Sequence, residues 1–505
     1  MSRAKDLKIT SLDFSFDSMS TPLFKDLNFV ARKGWTGIVG SNGSGKTTLL
    51  KIIARELRAP RGSVQAPKRL LLCPQRTDEV PPGFSDFMAD YESEALMIRS
   101  RLAIEDDWPH RWQSLSHGER KRAQIATLLW KEAEVALVDE ASNHLDKEAL
   151  KILSKTLKTY KGIGLIVSHD RQLLDDLCYQ CLFLDPPKAR MRPGGYSKGR
   201  EAEELEREHR KKLLEEKTHE LKRLKREASK RRELASRSHH LRSKRGLAIK
   251  DHDARAKINK ARVTGKDSTG GKLLLQMEGR VNQVEREKEA IGIDKSYDTG
   301  IFIRNERSKR DYLFRLKQGS IPLGKEQSLT FPELLMDTSD RIVLSGPNGS
   351  GKSSLIEHIV NKVVVERVEM SYIPQEIGME ETKRIMEEIK ESKREELGRI
   401  MSIVRRLNSD PERLLETEMP SPGETRKLLI AMGMAIEPHL IVLDEANNHM
   451  DLISIEALET ALDQCKCGLL LVTHDELLSM RLGQKEWRFI EVPEGYRVEP
   501  RIKRS

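Results

Sequence analysis

Residues Gly40, Ser41, Asn42, Gly43, Ser44, Gly45, Lys46 and Thr47 spell the pattern GxxxxGK[ST]. Residues Gly346, Pro347, Asn348, Gly349, Ser350, Gly351, Lys352 and Ser353 spell it again. The pattern has one structural setting: a buried strand, a glycine-rich turn and a helix. The glycines let backbone N–H groups curl around phosphate oxygens. The lysine reaches the outer phosphates, and the Thr47 or Ser353 hydroxyl ligates Mg²⁺. The apolar run Trp35–Val39 supplies the first strand. A helix expected over Thr48–Leu57 follows, its N-terminus facing the phosphates. Thr48, and Ser354 in the second copy, lie at that phosphate-facing start. Two α/β units with this local geometry are therefore required.

The same further motifs follow each loop, in the same order. Gln75 and Gln375 come after short apolar strands, where a side-chain amide can ligate Mg²⁺ and orient water. Ser116 and Gly118, and again Ser421 and Gly423, open helices with a glutamate at capping-box spacing. The apolar strands Val135–Val138 and Leu440–Leu443 run into Asp139-Glu140 and Asp444-Glu445. Asp139 and Asp444 are suited to hold Mg²⁺, and Glu140 and Glu445 to polarise an attacking water. His169 and His474 follow strands and can contact a γ-phosphate. Taken singly, each motif has a plain explanation: a surface glutamine, a capped helix, a structural histidine. Taken together, the spacing decides. Ser116 to Asp139 and Ser421 to Asp444 both span 23 residues; Asp139 to His169 and Asp444 to His474 both span 30. The chain is an internal duplication of one phosphate-binding unit.

Between the copies lies the segment 198–262, with 23 Lys/Arg against 12 Asp/Glu, a net charge of +11. The whole chain carries +10, so the basic character belongs to this stretch. A concentrated basic stripe points to nucleic acid or an anionic membrane surface, against the plainer reading of a solvated helix. Residues 201–245 lack Pro and Gly and predict one helix on the order of 65 Å long. Leu214, Leu221, Leu224, Ala228 and Ala235 form a thin apolar seam along it. After the breakers Gly265, Gly270 and Gly271, a second helix is expected from Lys272 to Ile291, with Leu274, Met277, Val281, Val284 and Ile291 as its seam. The two predict an antiparallel helical hairpin, with an extra helical piece over Asp253–Ala261 and a basic tip at about 239–272. Cys73, Cys178, Cys181, Cys465 and Cys467 read as buried thiols, with neither a disulfide framework nor a zinc-ligand set. No apolar h-region opens the chain and no window is long enough to span a bilayer, so a cytoplasmic protein with no membrane partner is expected.

The two motif sets resemble ATP-binding-cassette nucleotide-binding domains, with P-loop, Q-loop, signature, Walker B, D-loop and H-loop in order. The resemblance implies an intramolecular head-to-tail sandwich in a monomer, with ATP as substrate and Mg²⁺ as cofactor. Site one would join Lys46, Thr47, Gln75, Asp139, Glu140 and His169 to Ser421 and Gly423. Site two would join Lys352, Ser353, Gln375, Asp444, Glu445 and His474 to Ser116 and Gly118. The sites are expected to differ. Phe16, 24 residues before Gly40, can stack an adenine, whereas the same offset before Gly346 falls on Pro322. The second signature has Pro422, which lacks an N–H, where the first has His117.

Tandem cassettes, no membrane segment and a basic hairpin between them resemble the ABC-F family over essentially the whole chain. The expected architecture is α/β: cassette one over 1–197, a hairpin linker over 198–300 and cassette two over 301–505. In that family the hairpin enters the ribosomal exit (E) site and points towards the peptidyl-transferase centre, beside large-subunit RNA and the P-site tRNA. Ala141-Ser142 and Ala446-Asn447 stand where the family usually has Pro-Thr. Only 41 residues separate Gln75 from Ser116, and 31 follow His474, so an arm insertion and a C-terminal extension are not expected. That layout is similar to the antibiotic-resistance members that protect ribosomes. The alternatives are a general translation factor of the same family, a transporter's separate ATPase subunit, or a DNA-repair ATPase. The last usually carries zinc modules or longer coiled coils, so DNA is not the expected partner.

Overall fold

Strand alternation and strand burial account for both cassettes. The computed structural model describes residues 6–16, 22–142, 145–240, 268–291, 310–324, 327–365, 367–417, 419–445 and 447–502. The chain forms two compact units: Met1–Gly199 together with Tyr297–Ser505, and Arg200–Ser296.

In the first cassette, Leu7–Phe14 pairs antiparallel with Phe24–Ala31 and Arg61–Gln65. Leu7 and Ile9, then Leu12 and Phe14 beyond a register shift, are its buried residues. Residues 17–20, where Asp17 to Ser20 predict a turn after this strand, lie outside the described residues. A second sheet runs in the order Leu70–Cys73, Val135–Val138, Ile163–Val167, Gly34–Gly40, Cys178–Asp185, Lys188–Pro193. Its first five strands are parallel and the last is antiparallel. Val135–Val138 and Ile163–Val167 are buried throughout because both sheet faces are covered. The pleat splits them: Val135 and Leu137 join the core on one face, Ala136 and Val138 the core on the other.

The second cassette repeats the plan. Met370–Ile373, Leu440–Asp444, Gly468–Val472, Arg341–Ser345 and Lys485–Val492 are parallel neighbours, and Gly495–Ile502 follows antiparallel. Gln327–Phe331 and Gly319–Leu323 extend this sheet, so the strands that stood apart in the first cassette are here continuous with the core. In both halves the phosphate loop, the Asp-Glu pair and the histidine leave the carboxyl ends of neighbouring parallel strands, where open α/β sheets bind ligands.

The second unit carries an antiparallel helix pair, as the seams predicted. Leu221, Leu224, Met277 and Val284 are buried together, with Val281 packed against them. Lys217–Glu287 (2.6 Å), Lys225–Glu285 (2.5 Å) and Arg232–Glu278 (2.5 Å) tie the helices as one ascends and the other descends. The first helix spans Tyr196–His240 and the second Ser268–Ile291. Both start earlier than expected. The first runs through Gly199, where a Cβ would strike the Phe183 ring at 2.5 Å, so that glycine serves close packing. The second runs through Gly270 and Gly271, each costing roughly 1 kcal/mol relative to alanine. Residues 241–267, most of the tip and its helical piece over Asp253–Ala261, lie outside the described residues, as do the side chains of Ala235 and Leu274.

Two further expectations are corrected. The helix after the first phosphate loop spans Lys46–Ile53 and stops short of Leu57. Arg55 takes the left-handed conformation (φ 64°), and the Arg55 and Glu56 N–H groups turn back onto Ile52 and Lys51 carbonyls in a Schellman close. The cysteines are not all free: Cys73, Cys178 and Cys181 are buried thiols, but Cys465 and Cys467 are joined by a disulfide.

Candidate active sites at the cassette interface

Each phosphate loop is closed by its own lysine. Lys46 Nζ donates to the Gly40 (3.0 Å) and Ser41 (2.9 Å) carbonyls, and Lys352 Nζ to Gly346 (2.9 Å) and Pro347 (2.7 Å). Gly43 and Gly349 both take a φ of 78°, and Gly45 and Gly351 are also left-handed. At Gly45 a Cβ would also meet the Leu23 side chain at 2.7 Å, so the turn and its packing both require glycine. Ser44 and Ser350 are buried with Oγ unpartnered among the described residues. Thr47 and Ser353 are the second residues of the two loop helices, and their hydroxyls lie beside Asp139 and Asp444 and, against burial, pull those carboxyls down. Thr48 and Ser354 sit one residue further along those helices.

Asp139 and Asp444 are buried, and burial pushes both carboxyls up. Each keeps one oxygen, Oδ1, without a hydrogen-bond partner among the described residues. A hydroxyl and a carboxylate with a free, desolvated oxygen are the hard-oxygen donors that Mg²⁺ takes. Glu140 and Glu445 follow, both at φ 48°, a backbone region that L-residues rarely occupy. Gln75 Nε2 donates to Glu140 Oε2 (2.7 Å) and Gln375 Nε2 to Glu445 Oε2 (3.1 Å). His474 Nε2 lies 3.2 Å from Glu445 Oε1, whereas His169 Nε2 lies 4.0 Å from Glu140 Oε1. Burial, reinforced by the Lys46 charge, pushes His169 down to about 3. It is a neutral imidazole at neutral pH. Burial alone would raise Glu445, but His474, Asn448 and Lys352 outweigh it and hold the carboxyl low.

Ser116 and Ser421 cap the helices His117–Trp130 and Pro422–Ala435 with complete capping boxes. Each helix is tied to its own cassette's site. Lys121 donates to the Pro74 and Asp139 carbonyls (2.7 and 2.6 Å); Arg426 donates to the Glu445 carbonyl (2.7 Å) and to that of Gln375. Ser142 and Asn447 bond Ser168 and Thr473, the residues before the histidines. Asn143, His144 and Ala446 lie outside the described residues.

The two cassettes meet across these elements. Asn42 Nδ2 donates to the His449 carbonyl (2.8 Å), and Asn42 N to Asp451 Oδ2 (3.2 Å). Asp451 is buried against Lys427 (3.0 Å), an ion pair on the second signature helix. A Cβ on Gly423 would lie 2.9 Å from Asn42 Nδ2, so the second signature covers the first phosphate loop. Reciprocally, a cavity of about 510 Å³ is lined by Asn348, Gln375, Glu445 and His474 together with Ser116 and Gly118. Phe16 is exposed just past its strand, edge-on to Phe14 at 5.0 Å, and Pro322 lies in the strand Gly319–Leu323. Motif reading had His449 and Asp451 only as part of the second D-loop, and missed Lys427 and the strained backbone at Glu140 and Glu445. The cross-cassette contacts of His449 and Asp451 have no local signal: they are made with Asn42, some 400 positions away.

Asp170 and Asp475, each after its histidine, face one another across this interface. Burial and the Asp475 charge push Asp170 up to about 6. Its protonation therefore favours the folded state, and the charged form costs stability above that pH. Asp170→Asn, which keeps the N-cap, should raise stability by roughly 1–3 kcal/mol at neutral pH. The gain should shrink as pH falls through about 6 and vanish below the unfolded value of 3.8, as read by thermal unfolding across pH.

The sequence pattern described as ABC transporter matches residues 24–143 and again 332–448. The ribosome protection protein VmlR of Bacillus subtilis is 25% identical over 478 residues, covering 92% of this chain and 84% of its own. The erythromycin resistance ATP-binding protein MsrA of Staphylococcus epidermidis is 25% identical over 467 residues, covering 89% and 91%. The archaeal ribosome recycling factor aABCE1, solved with the stalk protein aP1, shares the fold: TM-score 0.62 at 18% identity, covering 98% of this chain and 90% of that one. Among the described residues, no helix is long and apolar enough to cross a membrane. Tandem cassettes without such a helix, aligned end to end with these relatives, place the chain among the ATPases of the ABC-F family, similar to its resistance branch.

Proposed function

We propose that this ATPase binds the ribosome when its cassettes are closed on ATP and protects it from antibiotics of the large subunit. The observation that carries the reading is the basic hairpin between the cassettes, net +11 over 198–262. Such a rod suits RNA backbone phosphates, and a transporter subunit has no use for it. The relatives named for ribosome protection and erythromycin resistance support the same reading. The hairpin would enter the exit site towards the peptidyl-transferase centre, beside large-subunit RNA and the P-site tRNA. A cytoplasmic monomer with domains at 1–197, 198–300 and 301–505 fits it.

In the proposed mechanism each site is built from both cassettes. Lys46 and Lys352 leave their loop carbonyls for the outer phosphates. Ser421 with Gly423, and Ser116 with Gly118, present helix N-termini to the γ-phosphate from across the interface. Thr47, Asp139 and Gln75, and Ser353, Asp444 and Gln375, would hold Mg²⁺, which neutralises charge on the phosphates. Glu140 and Glu445 orient and polarise the attacking water. His169, as a neutral donor, and His474, next to those carboxylates, contact the γ-phosphate. ATP closes the interface, and hydrolysis removes the bridging phosphate and releases it.

The test is co-sedimentation with purified ribosomes in a non-hydrolysable ATP analogue. The wild type should bind. Replacing Arg242, Lys244, Arg245, Lys250, Arg255 and Lys257 by neutral residues should abolish cellular protection and leave ATP binding intact. Failure of the wild type to bind would refute the ribosomal reading. Full cellular function in the tip variant would make the hairpin a spacer. A general translation factor would bind equally but confer no drug resistance when expressed.

A further inference from the structure

Arg171 stands two residues after His169 and leaves its own cassette. It begins the helix Arg171–Leu177, yet its guanidinium is spent on the second cassette. Nη1 and Nη2 donate to Glu459 Oε2 (2.9 Å) and Oε1 (3.0 Å), a bidentate pair, and Nη2 also donates to Asp475 Oδ2 (2.8 Å). The Arg171 and Glu459 side chains are 9% and 3% exposed. Burial alone would lower the guanidinium, but the two carboxylates hold it above its ordinary value. A buried, bidentate Arg–carboxylate pair is geometrically specific and screened little by salt.

Asp475 is the residue next to His474. Its Oδ1 caps the helix Glu476–Leu482 by accepting from Leu478 N (3.1 Å), and its own N–H donates to Thr473 Oγ1 (3.0 Å). With Oδ2 held by Arg171, both carboxylate oxygens are engaged and the backbone on each side of His474 is anchored. The duplication supplies an internal control at an offset of 305 residues. Arg171 corresponds to Glu476, Glu459 to Ser154 and Asp475 to Asp170. On that side Ser154 Oγ is buried without a partner among the described residues, and Glu476 reaches only Lys147 (3.5 Å) and Lys151 (3.9 Å), both far more exposed. The clamp exists in one direction. The histidine beside it lies closer to its glutamate, 3.2 Å against 4.0 Å.

We propose that Arg171 is a positioning residue for site two: through Asp475 it fixes the His474 loop from the opposite cassette, and it does nothing equivalent for site one. Turnover at site two thereby depends on the first cassette's histidine segment, so the two sites are coupled and unequal. The inference rests on the reading of His474 as a γ-phosphate contact.

The test is ribosome-free ATPase kinetics of the full chain in two backgrounds, Glu140→Gln, which leaves site two active, and Glu445→Gln, which leaves site one active. Arg171→Met should lower kcat at site two by about 10- to 100-fold with KM little changed, and at site one by less than about 3-fold. Arg171→Lys should recover only part of the loss, because an ammonium cannot chelate Glu459 and reach Asp475 together. If Arg171→Met does not fold, Asp475→Asn, which keeps the helix cap, should show the same selective loss at site two. An equal fall at both sites, or none at either, would overturn the proposal. His474→Ala separates the two readings: if it leaves site-two turnover intact, the role given to the histidine fails first.

Discussion

A Glu140→Gln, Glu445→Gln double variant is expected to bind ATP as the wild type does and to hydrolyse it at least about 100-fold more slowly. An amide keeps the side-chain volume and the neighbouring glutamine contact, seen at 2.7 Å for Gln75 and 3.1 Å for Gln375. It cannot draw a proton from water. The cassettes should therefore stay closed on unhydrolysed ATP, detectable as nucleotide retained after gel filtration together with lost phosphate release. The single variants should differ from one another, because one histidine–glutamate pair is tighter and clamped and the other is not. Equal residual turnover in the two singles would show that the asymmetry has no kinetic consequence. Wild-type turnover in the double would remove both glutamates from the mechanism.

Gly423→Val should reduce turnover at site one by up to about 100-fold. A Cβ here would sit 2.4 Å from the His449 carbonyl oxygen and 2.9 Å from Asn42 Nδ2. The first contact is with backbone of the same cassette, which cannot swing away, so the signature helix and the His449 segment that touches the phosphate loop must move apart. The Asn42–His449 hydrogen bond (2.8 Å) goes with it. Stability should fall as well, because the clash with the His449 carbonyl lies within the second cassette and outweighs the few tenths of a kcal/mol that helix propensity alone would cost. Site-one kinetics in the Glu445→Gln background, paired with thermal unfolding, reads the two effects apart. Unchanged site-one turnover would mean that this interface is not the catalytic one.

Much of each cassette is legible in the sequence because phosphate binding imposes local rules. The loop glycines need left-handed backbone, the serines at 116 and 421 cap helices within three residues, and buried parallel strands read as apolar runs. The hairpin's existence and direction were legible for a related reason. Its seam residues Leu221, Leu224, Met277 and Val284 obey helical spacing, and the seam survives the glycines at 270 and 271. Its starting points were less so. Packing of Gly199 on Phe183, and propagation of the second helix through two glycines, are tertiary decisions that propensity alone reads as breaks. The Cys465–Cys467 bond was also beyond composition, which argued only from compartment.

By itself the sequence determined two cassettes, the candidates for their phosphate, Mg²⁺ and water ligands, and a basic rod between them. Only the tertiary structure decided how the halves differ where they meet. The first phosphate loop touches Gly423, His449 and Asp451; Arg171 holds Asp475 with no counterpart in reverse; both glutamates after the metal-site aspartates sit in strained backbone. The physical reason is range. Ligand motifs are short stretches whose backbone geometry is set by neighbours in sequence. Asn42 and Asp451, 409 residues apart, or Arg171 and Asp475, 304 apart, meet only once two folded surfaces have docked, and no local periodicity records that.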